Sequence, residues 1–187
     1  MATPRRLALV LFFLTGTLIF SCSLRLDPER AALTHITEKK WSAAQSDLRK
    51  AFRKDTLNVE AKFLKGTFFL SDGNPEFNTD SAQLYANKAL AAWRISTPKQ
   101  RQKVDSSAIL TLRWRVDSAA FENARQENTV EAYSYYINQY PLANDHSKAI
   151  ELRDEVAYVE ALRTNTPAAF KKIHRNLSEF TQGKRCR

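Results

Sequence analysis

Glycine and cysteine are scarce in this chain, whose 187 residues hold four glycines and two cysteines. So few flexible positions argue against the glycine-rich loops that cradle phosphates and the tight turns that many enzyme sites need. No run alternates polar and apolar residues with a period of two, so strands are not expected. The patterns G-x-x-x-x-G-K, H-E-x-x-H, C-x-x-C and G-x-S-x-G are absent, which removes the phosphate, zinc, redox and hydrolase signatures. The three histidines, His35, His146 and His174, are scattered and read as surface or cap residues, with His35 and Glu38 sharing a solvated helical face. No catalytic residue, cofactor site or metal site is therefore expected, and the chain is not expected to be an enzyme.

What is present begins with a short positive segment, Met1 to Arg6, followed by Leu7 to Phe20 without a charge. A bilayer-spanning helix needs about 20 apolar residues, whereas a secretory core needs about 7 to 15. The run has signal length, and it leads into Ile19-Phe20-Ser21-Cys22. That arrangement resembles a bacterial lipobox, although Phe20 is bulkier than the residue usual two places before the cysteine. The resemblance implies a signal peptide over residues 1–21, lipid attachment at Cys22 with acylation of the new amine, and a lipidated tether over residues 22–30. Two or three acyl chains hold a protein on a membrane where one does not, at about 0.8 kcal/mol per buried CH₂. A plain secreted or uncleaved signal-anchor segment is the other reading of the run. With Cys22 lipidated, Cys186 is left without an intramolecular partner, so stability rests on packing. The mature chain carries 27 basic and 20 acidic side chains, since residues 1–21 hold two arginines and no acid.

Beyond the tether the apolar residues recur at helical spacing. Trp41, Ala44, Leu48, Ala51 and Phe52 form one face, and Ala61, Leu64 and Phe68 begin another, closed by Ser71-Asp-Gly-Asn-Pro75. Ala82, Tyr85, Ala86, Ala89, Leu90 and Trp93 make the clearest stripe. Thr97-Pro98 ends one helix and opens the next. From Val104 to Ala124 two stripes run side by side: Ile109, Leu112, Val116, Ala120 and Ala124, and then Leu110, Trp114 and Phe121. A helix apolar on two sides is expected to lie between neighbours. Further on, Ala149, Leu152, Val156 and Val159 give an apolar face, with Glu151, Asp154 and Glu155 on the wet side.

A shift of 37 residues lays Ala120, Phe121, Ala124, Asn128, Thr129, Ala132, Tyr133 and Tyr136 on Ala157, Tyr158, Ala161, Asn165, Thr166, Ala169, Phe170 and Ile173. Self-similarity of this kind is the signature of stacked helical hairpins. Asn128-Thr129 and Asn165-Thr166-Pro167 are read as capping the helix that follows each. At these positions the chain resembles the tetratricopeptide repeat family. Trp41, Ala44, Leu48, Ala51 and Asp55 match the second helix and exit of one unit, with Thr56 in place of the familiar proline. Ala61 through Gly66, with Phe69, open the next unit, and Gly66 suits the closest helix approach. After an insertion at residues 73–80, Ala82, Ala86, Ala89 and Leu90 supply its second helix, and Tyr140-Pro141 is an exit typical of diverged members. The resemblance implies an all-α architecture of stacked antiparallel helical hairpins, an α-solenoid, with hairpins over residues 31–95 and 98–181 and a basic tail over 182–187. An irregular helical bundle is the competing reading.

Arg49, Lys50, Arg53 and Lys54 lie opposite the Trp41 stripe, and Lys99, Arg101, Lys103, Arg113 and Arg115 are expected to gather on one long middle helix. They read as a solvated face or as an attraction to anionic headgroups or an acidic partner. Nucleic acid is not expected, because Trp93 and Trp114 fall on core stripes and not among the charges. The helix from Pro167 to Phe180 carries Phe170, Ile173 and Leu177 on a face that a partner could cover.

Together these features imply a lipoprotein adaptor on the periplasmic side of the outer membrane, since Ser23 stands where an inner-membrane retention aspartate would stand. The repeat-containing lipoprotein of the β-barrel assembly machinery has a similar layout, so a role in outer-membrane assembly is the specific version. An accessory domain of an envelope enzyme acting on cell-wall polymer, or a degenerate form of one, is the alternative. The sequence does not assign the partner-binding residues.

Overall fold

The computed structural model describes residues 27–168, 170 and 171. The signal peptide, Cys22, the first part of the tether, Ile173, Leu177, Cys186 and the basic tail lie outside the described residues. Within them the chain is all-α, without a strand. The helices are α1 (Pro28–Thr37), α2 (Trp41–Lys54), α3 (Val59–Phe69), α4 (Thr79–Ile95), the single turn α5 (Pro98–Arg101), α6 (Ser106–Glu127), α7 (Val130–Gln139) and α8 (His146–Thr164). Residues 167, 168, 170 and 171 are helical as well.

The tether expected to run to residue 30 stops sooner. Pro28 starts α1 with its fixed φ, and the buried Glu29 accepts a hydrogen bond from the Asn58 side chain. The same Asn58 caps α3 through its Oδ1, which accepts from the Ala61 N–H at 3.0 Å. One asparagine therefore starts a helix and fixes the first helix against it.

The alanine positions decide how closely the helices pack. Ala44, Leu48 and Ala51 of α2, Ala61, Leu64 and Phe68 of α3, and Ala82, Ala86 and Ala89 of α4 are all buried. Gly66 lies at a close contact: a Cβ there would meet Leu112 Cδ2 at 3.0 Å, the Ala82 carbonyl at 3.3 Å and the Ala86 nitrogen at 3.4 Å. Two of those three atoms are backbone, so α3 and α4 touch main chain to main chain. Trp41 meets Phe68 edge-on at 6.2 Å, and Tyr85 receives both Phe69 and Phe52 at about 6 Å, which closes the α2–α3–α4 side.

Packing runs mostly between sequence neighbours: α1 on α2, α2 on α3, α3 on α4, α4 on α6, α6 on α7 and α7 on α8. The basic residues of the middle segment do not share one helix. Gln100 Oε1 accepts the Thr97 N–H at 2.9 Å, so Lys99 and Arg101 belong to α5, and Asp105 starts α6 afresh. Lys103 falls in the break between them and reaches Glu60 at 3.5 Å.

The expected burial of both faces of α6 is overturned. Ile109, Leu112, Val116, Ala120 and Ala124 are buried, but Leu110 is 51% and Trp114 57% exposed. Helix length explains the difference. At 10 residues α7 can cover less than half of the 22-residue α6, and only Phe121, near its end, is reached, by Tyr136 at 5.4 Å. A similar correction applies to α8, where Ala149 is buried, Leu152 and Val156 are half-buried and Val159 is exposed. Glu151 and Glu155 are on the wet side as expected, whereas Asp154 is half-buried and bonded to the buried Arg153.

Candidate functional site

The α6–α7 turn organises the candidate site. Asn128 takes a left-handed conformation (φ 48°, ψ 47°), its N–H donating to Ala124 O at 2.9 Å, and its side chain accepts the Tyr133 hydroxyl. Thr129 Oγ1 then accepts the Ala132 N–H at 3.1 Å and starts α7. The cap expected of Asn128-Thr129 is thus supplied by Thr129, and the expectation is corrected only for the asparagines, Asn128 and Asn165. Each ends the preceding helix, Asn165 with φ 46° and its N–H on Ala161 O at 2.8 Å. The two turns match 37 residues apart, as the repeat in the sequence requires.

From this turn α7 carries three tyrosines, with Tyr140 just past its end, back across the molecule. Asp80, in the first turn of α4, accepts hydrogen bonds from the hydroxyls of both Tyr135 and Tyr140. Gln83 Nε2 donates to the Gln139 carbonyl at 3.2 Å. These bonds draw the end of α7 onto the start of α4, and the last turns of α6 form the floor between them. The result is a groove of about 460 Å³, within the range of ligand sites. Ala120, Ala124 and Ala132 leave the space, Tyr135, Tyr136 and Tyr140 supply rings, and Thr79, Asn123, Glu127 and Glu131 form the rest of the wall. Tyr136 and Tyr140 stack at 5.2 Å with planes 16° apart.

Burial pushes the Tyr136 and Tyr140 phenols well above their usual range, and nearby carboxylates, Asp145 and Asp117 for the first and Asp80 for the second, push the same way. Both therefore remain protonated near neutral pH. The Tyr136 hydroxyl is buried without a hydrogen-bond partner among the described residues. Glu127 and Glu131 are exposed, and neither forms an ion pair among the described residues. The site offers ring faces, neutral hydroxyls and unpaired carboxylates. A second cavity of about 390 Å³ lies beyond Asn128 against Leu152, Val156, Val159 and Arg163 of α8.

His35 is not a plain surface residue, since its Nδ1 lies 2.8 Å from Asp47 Oδ2, joining α1 to α2, while Lys50 holds the other oxygen at 2.7 Å. His146 is the first residue of α8, and His174 lies outside the described residues. Among the described residues no group of three or more His, Cys, Asp or Glu side chains could hold a metal ion, and no helix is long and apolar enough to cross a membrane. Trp93 is half-buried, with the Arg101 guanidinium 4.7 Å from its ring and its Nε1 donating to Val104 O. Trp114 is exposed between Arg113 and Arg115, contrary to the core position the stripe implied.

Asp80, Asn123, Glu127, Glu131 and Tyr135 were not legible as a group, because their helices meet only in three dimensions. The available signal was the density of tyrosine between residues 133 and 140. No family model, no curated protein and no solved structure matches this chain.

Proposed function

We propose that this chain is a lipid-anchored adaptor of the bacterial envelope, fastened through Cys22 after removal of residues 1–21, with its helices arranged as a tetratricopeptide-like superhelix. The anchor holds it on the periplasmic face of the outer membrane. Its work is to bind a protein segment by contact and to join it to a larger assembly, with outer-membrane protein assembly the specific setting. The groove between α4, α6 and α7 is the observation that carries this reading. It is concave, lined by rings and small side chains, and bordered by groups able to accept hydrogen bonds. Neighbour-on-neighbour helix packing, the backbone contact at Gly66 and the matched left-handed turns at Asn128 and Asn165 support the superhelical arrangement.

Two experiments test the reading. Cells fed a labelled fatty acid are expected to yield labelled protein, and the label is expected to vanish in Cys22→Ala. Label that persists in the variant would refute the anchor. A photoreactive residue at position 135 is expected to trap an envelope protein in intact cells. Turnover of cell-wall polymer by the purified chain would instead make it an enzyme.

A further inference from the structure

The groove carries a charge opposite to that of the protein as a whole. Without residues 1–21 the chain holds 27 basic and 20 acidic side chains, a net charge of +7, so its long-range field attracts anions. Within the groove, however, the ionisable side chains are the carboxylates Glu127 and Glu131 and the phenols of Tyr135, Tyr136 and Tyr140. Arg125, the basic residue in the last turn of α6, is engaged by Glu122 at 3.0 Å.

The two carboxylates differ in what local structure explains. Glu131 sits in the first turn of α7, where the helix dipole favours an anion. Glu127 is the last residue of α6, the end at which the dipole disfavours one, and it has no cationic partner among the described residues to offset this. An unpaired acid at the unfavourable end of a helix, beside a cavity walled by aromatic rings, is a local conflict of the kind that marks a binding surface. Tyr135 is half exposed there and offers its ring to the cavity wall. Carboxylates beside tyrosine faces attract a guanidinium or an ammonium by ion pairing and by cation–π contact together.

We infer that the groove takes an extended segment of a partner protein that carries arginine or lysine, with the cationic head between Glu127 and Glu131 and its stem along Tyr135. This rests on the adaptor reading above and adds the chemistry of the ligand. Hydrophobic stems suit the alanine floor, because arginine and lysine side chains bury their methylenes while the charge stays at the edge. The global positive charge makes the preference diagnostic: an electrostatic attraction spread over the surface would select acidic segments.

The test uses the full-length protein in neutral detergent micelles and fluorescence anisotropy. The probes are three ten-residue peptides alike except for two positions, which hold arginine, glutamine or glutamate. The arginine peptide is expected to bind most tightly, and increasingly weakly as salt is raised. Glu127→Gln with Glu131→Gln is expected to weaken it by about ten-fold or more, as loss of about 1.4 kcal/mol would do. Both positions are exposed, so the variant keeps its helix content, which circular dichroism checks. Asn123→Arg, also exposed, places a cation on the wall and is expected to block the peptide. An unchanged affinity in the double variant, or tighter binding of the glutamate peptide, would overturn the inference while leaving the adaptor reading intact. Spermidine binding as tightly as the arginine peptide would overturn it in favour of a free polyamine. Failure of all three peptides, together with no crosslink from position 135 in cells, would remove both readings.

Discussion

The two halves of this molecule use the same helices to opposite ends. In α1 to α4 alanines and Gly66 bring backbones together, and Trp41, Phe52, Phe68, Phe69 and Tyr85 fill the space between helices, although Leu33, Leu84 and Ile95 point out to solvent. In α6 to α8 the faces are left partly open, with Leu110, Trp114, Tyr158 and Leu162 about half exposed and two cavities between helices. Small residues do different work in the two places. At Ala82 and Ala86 they let α3 reach the main chain, whereas at Ala120, Ala124 and Ala132 they leave room that nothing in the described chain fills. The groove opens where small side chains of α6 and α7 face one another, while the shortness of α7 leaves Leu110 and Trp114 uncovered further along α6.

The contrast can be broken most strongly at Gly66. Gly66→Leu is expected to destabilise the protein by about 3 kcal/mol, since the new side chain meets main-chain atoms that cannot move aside. Denaturant unfolding followed by circular dichroism measures the loss, and a change below about 1 kcal/mol would mean that the α3–α4 contact is looser than described.

Asp47 gives the next effect. Burial would raise its carboxyl, but hydrogen bonds from Lys50 and His35 together outweigh it and hold the group below the usual carboxylate range. A carboxylate depressed in the folded state adds stability that is complete above its unfolded value, near pH 4, and is lost as pH falls through the folded one. Asp47→Asn is therefore expected to remove about 2 kcal/mol at pH 7, and less as the pH is lowered toward 3. A penalty that does not vary with pH would show that the charge is immaterial.

In the open half, Asn128→Ala is expected to lose about 1 kcal/mol, because alanine strains at positive φ and cannot accept from Tyr133. Asn128→Gly is expected to lose less. The same ordering at Asn165 would sharpen the equivalence of the two turns, and a reversed ordering there would break it. Tyr136→Phe removes a buried hydroxyl that has no partner among the described residues and is expected to be neutral or stabilising by up to about 1 kcal/mol. The smallest effect belongs to Trp114→Ser, which thermal unfolding should place within about 0.5 kcal/mol of the parent, since the ring is mostly in water.

Sequence periodicity exposed most of the fold and little of the site. The stripes through Ala44, Ala61 and Ala82 named residues that are buried or, at Trp41, Phe52, Tyr85, Leu90 and Trp93, half-buried, because a buried helix face leaves its period in the chain. The same logic misjudged Leu110 and Trp114: a period shows that a face is apolar, and only the length of the neighbouring helix shows whether it is covered. Asn128 and Asn165 were recognised as turn residues, but their role at the end of the preceding helix depends on φ, which residue type suggests only weakly. The groove was hidden for a different reason. Asp80, Glu127 and Tyr135 are each ordinary surface residues in one dimension, and their conjunction depends on α7 folding back to the start of α4. His35 and Asp47 likewise meet only because α1 and α2 form a hairpin.

Photocrosslinking in intact cells, with Cys22 unchanged, tests the use of the groove as a docking surface most directly. A benzophenone side chain at position 123 is expected to trap one discrete partner, and Glu127→Gln with Glu131→Gln to abolish the adduct. The same group at position 87, on the exposed side of α4, is expected to trap none. Equal adducts from both positions, or none from position 123, would contradict a groove that binds by contact.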